Sequence, residues 1–199
     1  MDDIKLLIKG REKETFAIHY ACSGFYNGGA VAPAICSIVL TNIKSNEKHI
    51  FAVHNYIVEG KCIIDAEKQL LTDFTTFFNT LKNPILVHWN MSGLEYGFKA
   101  IRGRCENYGI FNITFSDIDM INLDDEIELY SLLGALTHNN CSSADLLSGK
   151  EEVSCFNQRN YNAVKLSTEA KSKGLAKLFN KLINIDLDTD SNEGFYDEE

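Results

Sequence analysis

Several groups of side chains in this sequence have types and spacings that bear on chemistry. The first is His88-Trp89-Asn90, which closes a short apolar run and leads into turn residues ending at Gly93. A strand that stops at a His and an Asn and passes straight into a helix sets polar side chains at the carboxyl end of a parallel strand. That is a common place for a site. Ser92 and Glu95 have the spacing of a capping box, which predicts a helix starting at Gly93. The second is His19, inside an alternating apolar run; it reads either as a core histidine with a local hydrogen bond or as a cleft residue. The third is Glu169, which suits the first turn of a helix capped by Ser167. The carboxylates Asp117, Asp119, Asp124, Asp125, Glu126 and Glu128 do not follow a calcium-loop spacing and read as a solvated face or a helix start. Lys99, Arg102 and Arg104, with Lys165, Lys171, Lys173 and Lys177, are the basic candidates. If their two helices flank one cleft they can touch a phosphate backbone; otherwise they are ordinary surface charge.

Composition narrows the classes. The chain has 199 residues, 45% of them hydrophobic, which suits one domain with a real core. A formal charge of −9 disfavours a broad non-specific grip on nucleic acid. The six cysteines, Cys22, Cys36, Cys62, Cys105, Cys141 and Cys155, show no CxxC spacing. They read as free thiols in a reducing cytoplasm, and the charged stretch MDDIKLLIKGREKE is not expected to act as a signal peptide. No apolar run approaches the ~20 residues of a membrane span.

The elements that must position these residues follow from periodicity. Residues 1–14 read as an arm or a short edge strand. Thr15–Cys22 alternates as a strand, Ala32–Asn42 is a second, and Lys48–His54 is a third, joined by short turns into an antiparallel meander. Asp65 offers an N-cap to an amphipathic helix over Ala66–Leu81, with Leu70, Leu71, Phe74, Phe77 and Phe78 on one face. That helix leads to a fourth strand, Pro84–Trp89, and the length of the crossover implies that this strand runs parallel to its neighbour. A fifth strand is expected at Asp119–Leu123, and helices at Glu126–Leu136, from Ser142, and at Ser167–Ile183. Residues 184–199 are acidic and are expected to form a disordered tail.

Three antiparallel strands, a helix, a strand, a helix, a short strand and further helices make the order of an RNase H-like α/β fold. The expected architecture is a mixed five-stranded sheet with helices on its faces, over residues 15–183. Within that fold the chain resembles the DnaQ-like, DEDD-type 3′–5′ exonucleases. In that family strand one carries Asp-x-Glu before Thr-Thr-Gly; here the stretch is His19-Tyr20-Ala21-Cys22-Ser23-Gly24. The family's His-Asn pair after strand four is matched by His88-Trp89-Asn90, and its following Asp falls at Gly93 or near Glu95. Its last-helix pair falls at best on Asn162 and Glu169. Such enzymes hold two divalent ions with carboxylates, and hard ions want oxygen ligands rather than imidazole.

The resemblance, with both strand-one carboxylates replaced, implies a catalytically degenerate nuclease fold. The expected role is a binding or scaffolding module in a nucleic-acid-processing or defence assembly, with a protein partner, possible nucleic acid contact, and no resident metal or cofactor. His19, His88, Asn90, Glu95 and Glu169 are the cleft candidates, and His19 and His88 are expected to open on one cleft. One alternative is an active exonuclease using Mg or Mn on displaced carboxylates such as Glu95, Asp119 and Glu169. Another is a small acidic inhibitor or regulator acting by protein contact through its tail.

Overall fold

In the computed structural model the described residues are 2–24, 33–57, 62–93, 96–126 and 146–183. Five strands form one sheet: β1 (Thr15–Cys22), β2 (Ile35–Asn42), β3 (Lys48–Ala52), β4 (Ile85–His88) and β5 (Asp119–Asn122). Their spatial order is β3-β2-β1-β4-β5. β1–β2 and β2–β3 are antiparallel, while β4 runs parallel to β1 and β5 parallel to β4. This is the RNase H-like arrangement that the element order predicts. Every residue of β2 is buried, as a strand covered on both faces requires.

Helices cover the two faces. The crossover from β3 to β4 is α3 (Ile63–Phe78), after the short α2 (Val53–Tyr56). Its Leu70, Leu71, Phe74 and Phe78 join Phe16, Ile18 and Tyr20 of β1 and Phe98, Ile101 and Cys105 of α4 (Phe98–Asn107) in one core. After β5 come α5 (Leu123–Glu126), α6 (Gly149–Asn157) and α7 (Tyr161–Ile183). The last of these covers the opposite face, where Leu175, Ala176, Phe179 and Ile183 meet Ala17, Ile85, Val87 and Ile121.

Several boundaries differ from the sequence expectations. The segment before β1 is no edge strand: α1 (Asp2–Ile8) sets Ile4, Leu7 and Ile8 at helical spacing against the α7-side core. α3 starts at Ile63 with Cys62 at its N-cap, so Asp65 lies in the first turn. Helix α6 was not foreseen; Ser148 and Glu151 form a capping box there, with reciprocal bonds of 3.4 and 2.7 Å. α7 starts at Tyr161, where the Asn160 side chain accepts from the Ala163 amide at 3.3 Å. Ser167 is therefore inside the helix and buried, not at its start. The expected helices at 126–136 and from Ser142 lie mostly outside the described residues, as does the acidic tail; Leu146 and Leu147 are not helical.

Candidate functional site

Strand parity decides what faces what. On β1, Ala17 belongs to the α7-side core and Phe16, Ile18 and Tyr20 to the α3-side core. His19 and Ala21, which the sequence resemblance sets against the exonuclease Asp-x-Glu, therefore point toward α7. Ala21 is 2% exposed and packs with Cys36 and Val164, against Cys155 and Phe156 of α6 and Tyr161 of α7. A bulge helps close this cluster: Ala21 pairs with Ser37 and Cys22 with Ile35, so Cys36 is an extra residue.

His19 is partly covered, and its Nδ1 is buried with no hydrogen-bond partner in the protein. Desolvation, and secondarily the charge of Lys171, pull its pKa down to about 3. Ser37 Oγ, on the neighbouring strand, is likewise buried and unpartnered. Beside them Glu152 of α6, 6% exposed, accepts from Ser167 Oγ at 2.8 Å and from Lys171 Nζ at 2.6 Å. The carboxylate charge of Glu152 is thus already balanced. Two divalent ions need several unshared carboxylate oxygens, and the residues at this position do not fit them. Among the described residues no group of three or more His, Cys, Asp or Glu side chains could hold a metal ion.

His88 is on the other face. Ala17 pairs with Val87, both facing α7, so the next residue of β4 turns toward α3 and α4. The ring is fully buried with an edge against Phe98, centroids 5.2 Å apart. Its Nδ1 accepts from the Met91 amide at 3.2 Å, which leaves the proton on Nε2, 3.3 Å from Ser92 Oγ. Burial lowers its pKa to about 4, against a smaller upward pull from Asp125. His19 and His88 therefore do not open on one cleft. Parity separates them, and parity depends on the register of β1 against β4.

Ser92 is taken up by His88 and does not cap a helix. The chain instead runs on to Gly97, whose φ of 93° reverses it, and Phe98 donates its amide to the Met91 carbonyl at 3.0 Å. Tyr20 Oη accepts from the Gly97 amide at 2.9 Å, and Tyr96 Oη donates to the Tyr20 carbonyl at 3.2 Å. Asn90 is exposed with a φ of 49°, and its amide donates to Asn122 Oδ1 at 2.7 Å, tying the ends of β4 and β5 together. Glu95 lies outside the described residues.

The basic candidates do not share a cleft either, because α4 and α7 lie on opposite faces of the sheet. Lys99 is exposed, and Arg102 pairs with Glu106 at 3.4 Å. Arg104 is committed to buried Glu67, with its Nε at 2.8 Å; Glu67 also accepts from Tyr108 Oη at 2.8 Å and the Ile35 amide at 2.7 Å. Sequence reasoning missed this network. The signal was a Glu at position 67 among Ala66, Leu70, Leu71 and Phe74, on the apolar stripe of α3. Lys171 is taken by Glu152; Lys173 is exposed and Lys177 half-buried. Glu169 pairs with Lys48 of edge strand β3, and Asp119 of the opposite edge strand pairs with Arg11 at 2.9 Å. These two carboxylates do not converge. Asn162 is exposed.

Among the described residues, two open clefts stand out. One, of about 510 Å³, lies between Thr72, Thr75 and Thr76 of α3 and residues 109–112, and holds no ionisable side chain. The other, of about 260 Å³, includes Arg11, Asn83 and Asp119 at the amino ends of β4 and β5. That is the wrong end of the parallel strands for ligand binding in such sheets. No protein-family model matches the chain, and no curated protein matches it. The fold resembles a nuclease-like scaffold, and no described helix is long and apolar enough to cross a membrane.

Proposed function

We propose that this chain is a catalytically degenerate exonuclease-fold protein, a binding or scaffolding module in a nucleic-acid-processing or defence assembly. One observation carries the reading. The strand-one positions that hold metal-binding carboxylates in the exonucleases are here His19 and Ala21, enclosed by α6 and α7, beside a Glu152 already neutralised by Lys171. A carboxylate placed at 21 would enter an apolar cluster, where ionisation is costly. Contact with a phosphate backbone falls to the basic side chains of one face at a time, exposed Lys173 and half-buried Lys177 of α7 or exposed Lys99 and Arg102 of α4.

The test is an end-labelled single-stranded oligonucleotide incubated at low salt with magnesium and then manganese. The expected result is no ladder, with retention that falls as salt rises. Ladder formation by the parent protein, abolished by Glu95→Gln or Glu169→Gln, overturns the reading in favour of displaced carboxylates. Absence of both cleavage and retention turns the assignment to a protein partner.

A further inference from the structure

Positive charge without a partner is unevenly shared between the two faces of the sheet. The net charge of −9 leaves no room for a broad basic surface, so contact with phosphates has to be local. On α4, Arg102 pairs with Glu106 and Arg104 with buried Glu67, which leaves Lys99. On α7 there are five lysines and a single carboxylate, Glu169, which is taken by Lys48. Lys171 is spent on Glu152. Among the described residues Lys173, Lys177 and Lys181 have no ion-pair partner.

These three recur every four residues, so they form one row along roughly 12 Å of helix, drifting about 40° around the axis at each step. Leu175, Phe179 and Ile183, on the other side of the helix, are buried. Lys173 and Lys181 are exposed and Lys177 is half-buried. The turn after β2 adds little: Asn180 holds the Ile43 carbonyl at 2.8 Å, but the charge of neighbouring Lys44 already acts on Glu12. Toward the start of the helix the same pole ends in Leu166, 41% exposed, which brings neither charge nor a ring. The aromatic side chains of α7, Tyr161 and Phe179, pack inward.

We propose that Lys173, Lys177 and Lys181 are the phosphate-contacting row, and that it holds a nucleic-acid strand by its backbone alone, without reading the bases. This deepens the proposed function and rests on it. Lysines four residues apart stand roughly 6 Å apart along the axis, close to the separation of neighbouring phosphates in an extended single strand. Three consecutive phosphates can each meet one ammonium group. An ammonium is a point charge with no bidentate match to a base edge, and the row has no ring on which a base could stack. Affinity then comes from counterion release. Three neutralised phosphates on a single strand give a slope of about −2 in log K against log salt, so binding falls roughly fifteenfold between about 0.05 M and 0.2 M salt.

Fluorescence anisotropy on the full-length chain tests this, with labelled single strands of mixed sequence and of oligo(dT). The parent should give a slope of about −2 with both strands. K173Q/K177Q/K181Q should bring the slope near zero and weaken binding tenfold or more at low salt. Lys173→Gln and Lys181→Gln, each at an exposed position, should each lower the slope by about 0.7, which keeps the test open if the triple variant does not fold. If the parent binds and these variants match it, or if K99Q/R102Q removes the slope instead, the proposal is overturned while the nucleic-acid reading stands. A several-fold difference between the two strands overturns the backbone-only contact. If the parent binds neither strand, the nucleic-acid reading fails and takes the proposal with it. Binding only to vesicles of equal parts phosphatidylserine and phosphatidylcholine would give the row to a lipid surface and likewise overturn it.

Discussion

On the face covered by α3 and α4 the sheet meets aromatic rings. Phe51, Phe74, Phe78, Phe115 and Phe98 form a chain with successive centroids 4.9 to 5.6 Å apart. On the face covered by α7, small and polar side chains are interleaved with the aliphatic core around Leu175 and Phe179. Ser172 Oγ is 2.8 Å from Thr41 Oγ1 and donates to the Ala17 carbonyl at 2.9 Å, and Asn180 donates to the Ile43 carbonyl at 2.8 Å. The aromatic face gains its stability from buried area. The α7 face adds to its aliphatic burial hydrogen bonds from the helix to the strands and to the Ile43 carbonyl that follows β2. The histidines follow the same division: His88 has a partner for both ring nitrogens, whereas His19 has a buried nitrogen without one. The α7 face also holds unmet polar atoms, Nδ1 of His19 and Oγ of Ser37.

The largest expected effect tests how firmly the aromatic face fixes its loop. A Cβ on Gly97 would stand 1.8 Å from the Met91 carbonyl oxygen, at a φ of 93° that side chains rarely adopt. Both the clash and the dihedral are backbone problems, so no rotamer relieves them. Gly97→Ala is expected to cost roughly 4 kcal/mol or more, read as a lowered urea midpoint. A midpoint equal to the parent's would mean that residues 91–98 rearrange freely and that His88 is not held by them.

That loop also marks the limit of what the sequence makes legible. The alternation of Thr15–Cys22 and the phenylalanine spacing of α3 are local patterns, so β1, the meander and the crossover could be read directly. Ser92 and Glu95 have the local pattern of a cap too, yet His88 and the Met91 carbonyl claim that segment through contacts that close only in the folded chain. The working box, Ser148 with Glu151, stands where no expectation had been placed. The separation of His19 from His88 was beyond reach for a different reason. It depends on pairing Ala17 with Val87 across 70 residues, and a slip of one would reverse it.

A middle-sized effect sharpens the contrast between the histidines. His88→Leu keeps an apolar body against Phe98 but strands the buried Met91 amide and frees Ser92. The expected loss is about 1–3 kcal/mol at neutral pH. An unchanged unfolding free energy would remove the claim that the His88 bonds hold the turn.

The smallest effect at neutral pH is expected from His19→Leu, and it is the most discriminating. The native ring contributes a buried nitrogen with no partner, so its removal sacrifices no protein hydrogen bond. Leu is of similar bulk and suits the neighbouring apolar cluster. The unfolding free energy at pH 7 should stay within about 0.5 kcal/mol of the parent or rise. The pH dependence then separates the two positions from everything else. The pKa of His19 falls from 6.5 unfolded to about 3 folded, so the unfolded chain takes up the proton first. Stability is full above pH 6.5 and is lost as pH falls from there toward 3. His88 acts with the same sign between 6.5 and about 4. Each histidine contributes a slope of at most about 1.4 kcal/mol per pH unit, less for His19 because its ring is only partly covered. Between pH 6.5 and 4.5, before most carboxylates take up protons, the slope for His19→Leu should be shallower than the parent's while its pH 7 stability is intact. His88→Leu should also flatten the slope, but from a lower starting value. If His19→Leu proves as damaging as His88→Leu at pH 7, Nδ1 has a partner after all, an ordered water being the first to seek, and the two faces treat their histidines alike.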